Sequence, residues 1–145
     1  MLEQYESLVR SLAVTLGLNP QELLRTEEIV IDDLPVGFQY EGDEEDGDIL
    51  FFAPLGQPEQ GDELPLYKAL LQANHLWIGT GGGTFALHPD NGQAVLAGRL
   101  PLHRLDAEHF SRVLEVFAQT ALFWRVRVST GGFPVEPSGM PVANF

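Results

Sequence analysis

The stretch LYKALLQANHLWIGTGGGTFAL at residues 66–87 joins an apolar, helix-like run to a glycine-rich turn and a short strand. Four glycines within residues 79–83 raise the question of a phosphate site. A phosphate-binding loop follows a strand and opens a helix, whose positive end faces the anion. Here the order is reversed, and no Lys or Arg lies between Lys68 and Arg99. The segment is therefore predicted to end a helix and to turn into a strand, a common use of glycine just past a helix.

The helix predicted over this run is apolar on most of its sides. Lys68 is its one charged residue, and its apolar positions are Leu66, Tyr67, Leu70, Leu71, Ala73, Leu76, Trp77 and Ile78. A helix that is apolar on most sides is buried on most sides. One small chain covers such a helix with difficulty, so the pattern favours a second copy of the chain, packed helix against helix.

Toward the N terminus, the pattern predicts one amphipathic helix and three strands. Apolar residues recur every three or four positions in residues 2–16, and Gly17 followed by Asn19 and Pro20 ends that helix. Short β-branched, alternating or apolar runs then predict strands at residues 27–31, 36–40 and 49–53.

Toward the C terminus, two strands at residues 84–88 and 93–100 are joined by an Asn-Gly turn, and Asp106 caps a third helix. An apolar stripe follows that helix at Phe110, Val113, Leu114, Phe117, Ala121 and Trp124. The order α-β-β-β-α-β-β-α indicates an α+β fold, with an antiparallel sheet covered by helices. Residues 1–128 are predicted to form this domain, and residues 129–145 a Gly/Pro-rich C-terminal tail.

Composition narrows the class of protein. The net charge of −13 disfavours nucleic acid as a partner, and residues 1–63 carry a balance of −14 against +1 for residues 64–145. This acidity serves either solubility alone or attraction of a basic partner. There is no cysteine, no apolar run of ~18 residues for membrane insertion, and no basic leader. We expect a cytoplasmic protein of one domain.

No motif for catalysis or metal binding is present. His75, His88, His103 and His109 form no H-E-x-x-H pattern, and the serines lack a G-x-S-x-G elbow. The acidic turn at residues 41–48 fails the spacing of a calcium loop. We therefore predict no catalytic residue, no metal and no cofactor. A small enzyme built around the glycines and His75 or His88 is a remote alternative.

The sequence resembles a known family over residues 2–128. The run LYKALLQAN at residues 66–74, then GTGGGTFAL and the strand Ala94-Val95-Leu96, is similar to type III secretion chaperones of the CesT/Tir-chaperone family, the class I effector chaperones. The segments LPLHRLDAE at residues 100–108 and ILFFAPLG at residues 49–56 are similar to them too. The tail has no counterpart in the resemblance.

The resemblance implies an acidic homodimer in the cytoplasm of a Gram-negative bacterium. Such a protein binds the N-terminal segment of a secreted effector, keeps it secretion-competent and is not an enzyme; the secretion ATPase is a further candidate partner. The effector segment wraps the dimer in extended form, with apolar anchors in grooves and strand addition at sheet edges. A regulatory interaction protein on the same fold, which binds a secretion or transcription regulator, is the alternative.

The resemblance also implies which residues bind, by their position in the chain. The dimer interface is predicted at Leu70, Ala73, Asn74 and Trp77. The effector-binding surface is predicted at Tyr5, Val9, Phe38, Tyr40, Leu50 and Phe52. Ordinary packing in the core is the alternative for every one of these positions.

Overall fold

The computed structural model of the chain describes residues 2–43 and 46–133. Within them the helices are α1 (Leu2–Leu16), α2 (Pro20–Thr26), α3 (Glu63–Asn74) and α4 (Ala107–Thr130), with single 3-10 turns at His75–Trp77 and Leu102–Arg104. The strands are β1 (Glu28–Ile31), β2 (Leu34–Glu41), β3 (Asp48–Gly56), β4 (Thr84–Leu87) and β5 (Ala94–Pro101). They form one antiparallel sheet in the order β1-β2-β3-β5-β4. The predicted α+β class is confirmed.

Helix α2 is an element that the sequence pattern misses. Asn19 and Pro20 indicate the end of the first helix, but they also open the next one. The Asn19 side chain accepts hydrogen bonds from the backbone N–H groups of Gln21 and Glu22, and Pro20 takes the first helical position. Asparagine at the cap followed by proline is a helix-start signal, and the seven residues of α2 are too few to show an apolar period.

One face of the sheet carries the core. Helix α4 lies across β2, β3 and β5, and α1 packs beside it. Side chains of β3 alternate between the two faces, and those of Ile49, Phe51, Ala53 and Leu55 are buried under the helices. The apolar stripe predicted on the last helix is confirmed, since all six of its residues are buried. The opposite face of the sheet is largely open, and Phe52 is 39% exposed there.

Helix α3 lies at the β4 end of the sheet. Its last residue, Asn74, accepts a hydrogen bond from the Phe85 N–H at 2.8 Å and donates one to the Phe85 carbonyl at 3.0 Å. The amide side chain thus makes the two bonds that a neighbouring strand would make to Phe85. These two hydrogen bonds join the C-terminal end of α3 to the middle of β4.

The predicted end of this helix is wrong. Helix α3 ends at Asn74 and not at the glycines, and Leu76 and Trp77 adopt left-handed conformations with φ of 54° and 58°. Non-glycine residues adopt such conformations only where their surroundings hold them there. The two hydrogen bonds of Asn74 to β4 hold the end of the helix in place, and the chain turns before it reaches the glycines.

Gly79 serves a close approach within its own chain. Its N–H donates to the Ala73 carbonyl at 3.1 Å, and its own carbonyl accepts from the Trp124 indole N–H at 3.1 Å. A Cβ atom at this position would lie 2.7 Å from the Cβ of Ala73. The glycine turn therefore fastens the end of α3 to α4 within one chain.

We expect Gly79→Ala to lower the free energy of unfolding by about 2 kcal/mol, because the new methyl group forces Ala73 and the turn apart. Thermal denaturation measures the loss. Gly132→Ala is the matched control, since apart from its two chain neighbours no atom of the described residues lies within 4 Å of its Cβ position. Equal melting temperatures for the two variants would contradict the tight contact.

Helix α4 runs two residues into the predicted tail and ends at Thr130, and Gly131 caps it with a left-handed φ of 80°. Phe133 then folds back, stacking on Phe123 with ring centroids 5.3 Å apart and meeting Trp124 edge-on at 4.9 Å. The start of the tail therefore packs on its own chain. The rest of the predicted tail, residues 134–145, lies outside the described residues.

Candidate functional site

A groove runs along the free edge of β1. Strand β1 pairs with β2 on one side, and within residues 2–43 and 46–133 no strand pairs with its other side. The groove encloses about 710 Å³ between β1, the C-terminal end of α1 and one side of α4. Its lining residues are Leu16, Leu18, Glu28, Ile29, Val30, Ile31, Asp32, Ser111, Leu114, Glu115, Ala118, Gln119 and Leu122.

The backbone of β1 is directed for strand addition. The Glu27 carbonyl accepts from the Phe38 N–H at 2.9 Å, so Glu27 faces β2. Hydrogen-bonding directions alternate along an antiparallel strand, so Ile29 and Ile31 also face β2. The N–H and C=O of Val30 therefore point away from the sheet, into the groove's open side, where an incoming extended segment can pair with them.

The groove has an apolar lining and an acidic rim. Leu16 and Leu18 are about two-fifths exposed at the end of α1. Adjacent exposed apolar side chains of this kind are typical of an interaction site. The carboxylates of Glu28, Asp32 and Glu115 are exposed, and none of the lining residues is Lys, Arg or His. Such a site suits a segment with apolar side chains and no net negative charge.

A second apolar surface lies on α3 and the turn that follows it. Leu64 and Leu71 project from the exposed side of the helix, and Leu76, Trp77 and Ile78 continue the surface. Leu71 is 70% exposed and Trp77 is 56% exposed. A shallow depression between Leu64, Tyr67, Lys68 and His75 lies on the same side of the helix. We call the exposed apolar residues Leu64, Leu71, Leu76, Trp77 and Ile78 the α3 face.

The residues predicted to bind an effector divide by burial. Tyr5, Val9 and Phe38 lie in the core of the single chain. Tyr40 and Leu50 are partly exposed, and Phe52 is the most exposed of the six. Strand alternation places Leu50 and Phe52 on the open face of the sheet, away from the helices.

The residues predicted at the dimer interface divide in the same way. Leu70 and Ala73 are buried on the side of α3 that faces the sheet, and Asn74 binds the backbone of β4. Trp77 is exposed on the α3 face. Leu64 and Leu71, which are exposed on α3, are absent from the predicted interface. A helix that is apolar on most sides does not itself show which side its own chain covers.

Tyr5 joins α1 to the start of β1. Its hydroxyl donates a hydrogen bond to the carboxylate of Glu27, and its ring lies 5.7 Å from that of Tyr40. Burial, and then the hydrogen bond and negative charge of Glu27, raise the pKa of the Tyr5 hydroxyl above its ordinary value. The phenol therefore remains a donor, and Tyr5 has a structural role beside the groove.

No group of metal-ligating side chains occurs in the part of the chain that the structure describes. Within that part, no helix combines the length and apolar character needed to cross a membrane. The groove and the α3 face both expose large apolar side chains, and both are suited to protein contacts.

These features define a protein-binding module: a sheet covered on one face, an open edge along β1, and an apolar side of α3 that the described residues leave uncovered. The chain belongs to the Tir chaperone protein (CesT) family, whose model matches residues 7–125. The family predicted from the sequence is confirmed, and the protein is a type III secretion chaperone. Among curated proteins, no sequence matches the chain significantly.

Solved structures share the fold. The ExsC–ExsE complex contains a chain that superposes with a TM-score of 0.72 at 18% identity, covering 90% of this chain and 97% of that one. The Yersinia pestis type III secretion chaperone SycH, solved with a stable fragment of YscM2, gives 0.57 at 20% identity over 81% and 97%. The HopA1–SchA chaperone–effector complex gives 0.58 at 16% identity over 86% and 92%.

Proposed function

We propose that the protein binds the N-terminal segment of a secreted effector in extended form and keeps it competent for secretion. The groove beside β1 carries this proposal, because it combines unpaired strand backbone with an apolar lining in one place. Backbone pairing supplies affinity that is independent of sequence, and alternate side chains entering the groove supply selectivity.

The open face of the sheet offers a second set of anchors. Leu50 and Phe52 lie opposite Arg99 and Ala97 of β5, and the Phe52 ring covers Gly37 of β2. A segment that leaves the groove past β1 meets this face next. We retain Tyr40, Leu50 and Phe52, which are at least partly exposed, as effector contacts, whereas the buried Tyr5, Val9 and Phe38 shape the fold beneath the site.

We further propose that the protein acts as a cytoplasmic homodimer through the α3 face, with Trp77 among the contacts. Several large apolar side chains project there side by side, and packing two copies face to face removes both sets from water. The secretion ATPase stays a predicted partner without an assigned surface, and we propose no catalytic role.

Purification of the tagged full-length chain from its native bacterium, followed by mass spectrometry, tests the effector proposal. We expect a secreted protein to be retained through its N-terminal segment. Leu18→Asp places a charge on the groove wall and should weaken retention about ten-fold or more, since a buried leucine contributes about 1.5–3 kcal/mol.

Val14→Asp is the matched control, because Val14 lies one turn earlier on α1, is 72% exposed and does not line the groove. It should retain the effector as the wild-type chain does. Equal retention by the Leu18 and Val14 variants would exclude the groove. Retention of a regulator in place of any secreted protein would favour the regulatory alternative.

A further inference from the structure

We propose that the groove beside β1 selects a segment in which apolar residues alternate with basic ones. This inference rests on the proposed function and specifies the chemistry of its partner. The occupant is a basic-apolar strand of another protein, and not a second copy of this chain or its own tail.

The alternation follows from the strand geometry. A strand added beside β1 places every second side chain on the helix side, where Leu114, Ala118 and Leu122 line the groove. The remaining side chains lie on the other face of the sheet, next to those of Glu28 and Val30, which are both exposed there. Apolar residues therefore suit the first set of positions, and the second set meets a carboxylate.

Negative charge on this protein favours basic residues at the second set of positions of the added strand. Glu28 begins β1 and Asp32 follows its last residue, so a carboxylate flanks the strand at each end; a third, Glu115, lies on the α4 side of the groove and adds to the same negative charge. In the described part of the chain, none of the three forms a salt bridge. Arg125 donates a hydrogen bond to the Asp33 backbone carbonyl at 3.2 Å in the β1–β2 turn, and so this cation binds backbone beside the groove and forms no salt bridge with the three carboxylates.

The same carboxylates exclude the other occupants. A second copy that paired its β1 antiparallel to this one, centred on Val30, would place Glu28 opposite Asp32 of the partner subunit, and like charges on an edge strand oppose such pairing. Residues 134–145 contain one charged residue, Glu136, which is acidic. A basic strand removes this repulsion, whereas either alternative keeps it.

Peptide binding to the full chain tests the inference. Three labelled peptides of about ten residues are compared by fluorescence anisotropy: alternating Val and Lys, alternating Val and Glu, and a peptide of the first composition with its Val and Lys in two blocks. Each exposed charge pair contributes up to several-fold in affinity. We expect the alternating Val-Lys peptide to bind about ten-fold more tightly than either other peptide, with the margin over the Val-Glu peptide narrowing at high salt.

Two triple variants separate the groove from the overall charge. The groove variant carries Glu28→Lys, Asp32→Lys and Glu115→Lys, and should reverse the preference toward the Val-Glu peptide. The remote variant carries Glu3→Lys, Glu59→Lys and Asp90→Lys at exposed acidic positions that do not line the groove, with the same change in net charge. It should keep the wild-type preference.

Equal effects of the two triple variants would overturn the inference, because the preference would then reflect net charge alone. Equal binding of the three peptides, or binding of none, would overturn it as well. The proposed function is decided separately by the retained effector and its loss in the Leu18 variant, so the charge selection can fail while that function stands.

Discussion

Leu71→Glu and Trp77→Glu are each expected to convert the proposed dimer into a monomer of 16.0 kDa. Both side chains lie on the α3 face, where most of their surface is exposed in the single chain. A glutamate at either position would have to lose its hydration when the two faces meet, a cost of several kcal/mol without a buried cation to pair with it. The dimer should weaken about 100-fold or more.

Light scattering at low micromolar concentration measures this change. Val14→Glu is the matched control, since Val14 is as exposed as Leu71 but lies on α1, and it should leave the dimer intact. A wild-type chain that scatters as a monomer would refute the dimer. If the glutamate variants stay dimeric, the dimer interface does not lie on the α3 face.

Asp62→Ala is expected to lower the free energy of unfolding by about 3 kcal/mol, and the melting temperature by about 10 °C. Asp62 precedes α3, and its carboxylate binds the Arg127 guanidinium of α4 at 2.7 Å. The Arg127 side chain is only 7% exposed. Loss of Asp62 leaves that cation buried without its carboxylate, which costs more than the pair itself contributes.

The double variant Asp62→Ala with Arg127→Met separates these two effects. It removes both charges and keeps an apolar side chain in the α4 position, so it should be more stable than Asp62→Ala alone. Glu22→Ala breaks the exposed Glu22–Arg25 pair and should cost less than about 0.5 kcal/mol. If thermal denaturation shows equal losses of stability for Asp62→Ala and Glu22→Ala, the Asp62–Arg127 pair does not behave as a buried pair.

Much of the fold is predictable from local pattern. The stripe from Phe110 to Trp124 repeats at helical spacing, and its burial requires only that α4 meets the sheet. The Asp106 cap is likewise local, and its side chain accepts from the His109 N–H at 2.7 Å. Such features depend on residues within a few positions of each other, which a sequence displays directly.

The binding surfaces were harder to predict because they depend on which apolar residues the chain itself covers. Leu70 and Leu71 are neighbours of equal hydrophobicity, yet one is buried and the other is largely exposed. Likewise Phe51 is enclosed and Phe52 faces outward from the same strand. A helix or strand that is apolar on both sides carries no local mark of which side faces the core.

The sequence by itself determined the family, the α+β class, the acidic first half and the presence of more apolar surface than one chain can bury. Only the tertiary structure decided where that surface lies: along the open edge of β1 and on the α3 face. The physical reason is that burial results from contacts between distant segments. The bonds of Asn74 to Phe85 and of Trp124 to Gly79 orient α3, and within the described residues the sheet order leaves one side of β1 without a neighbouring strand.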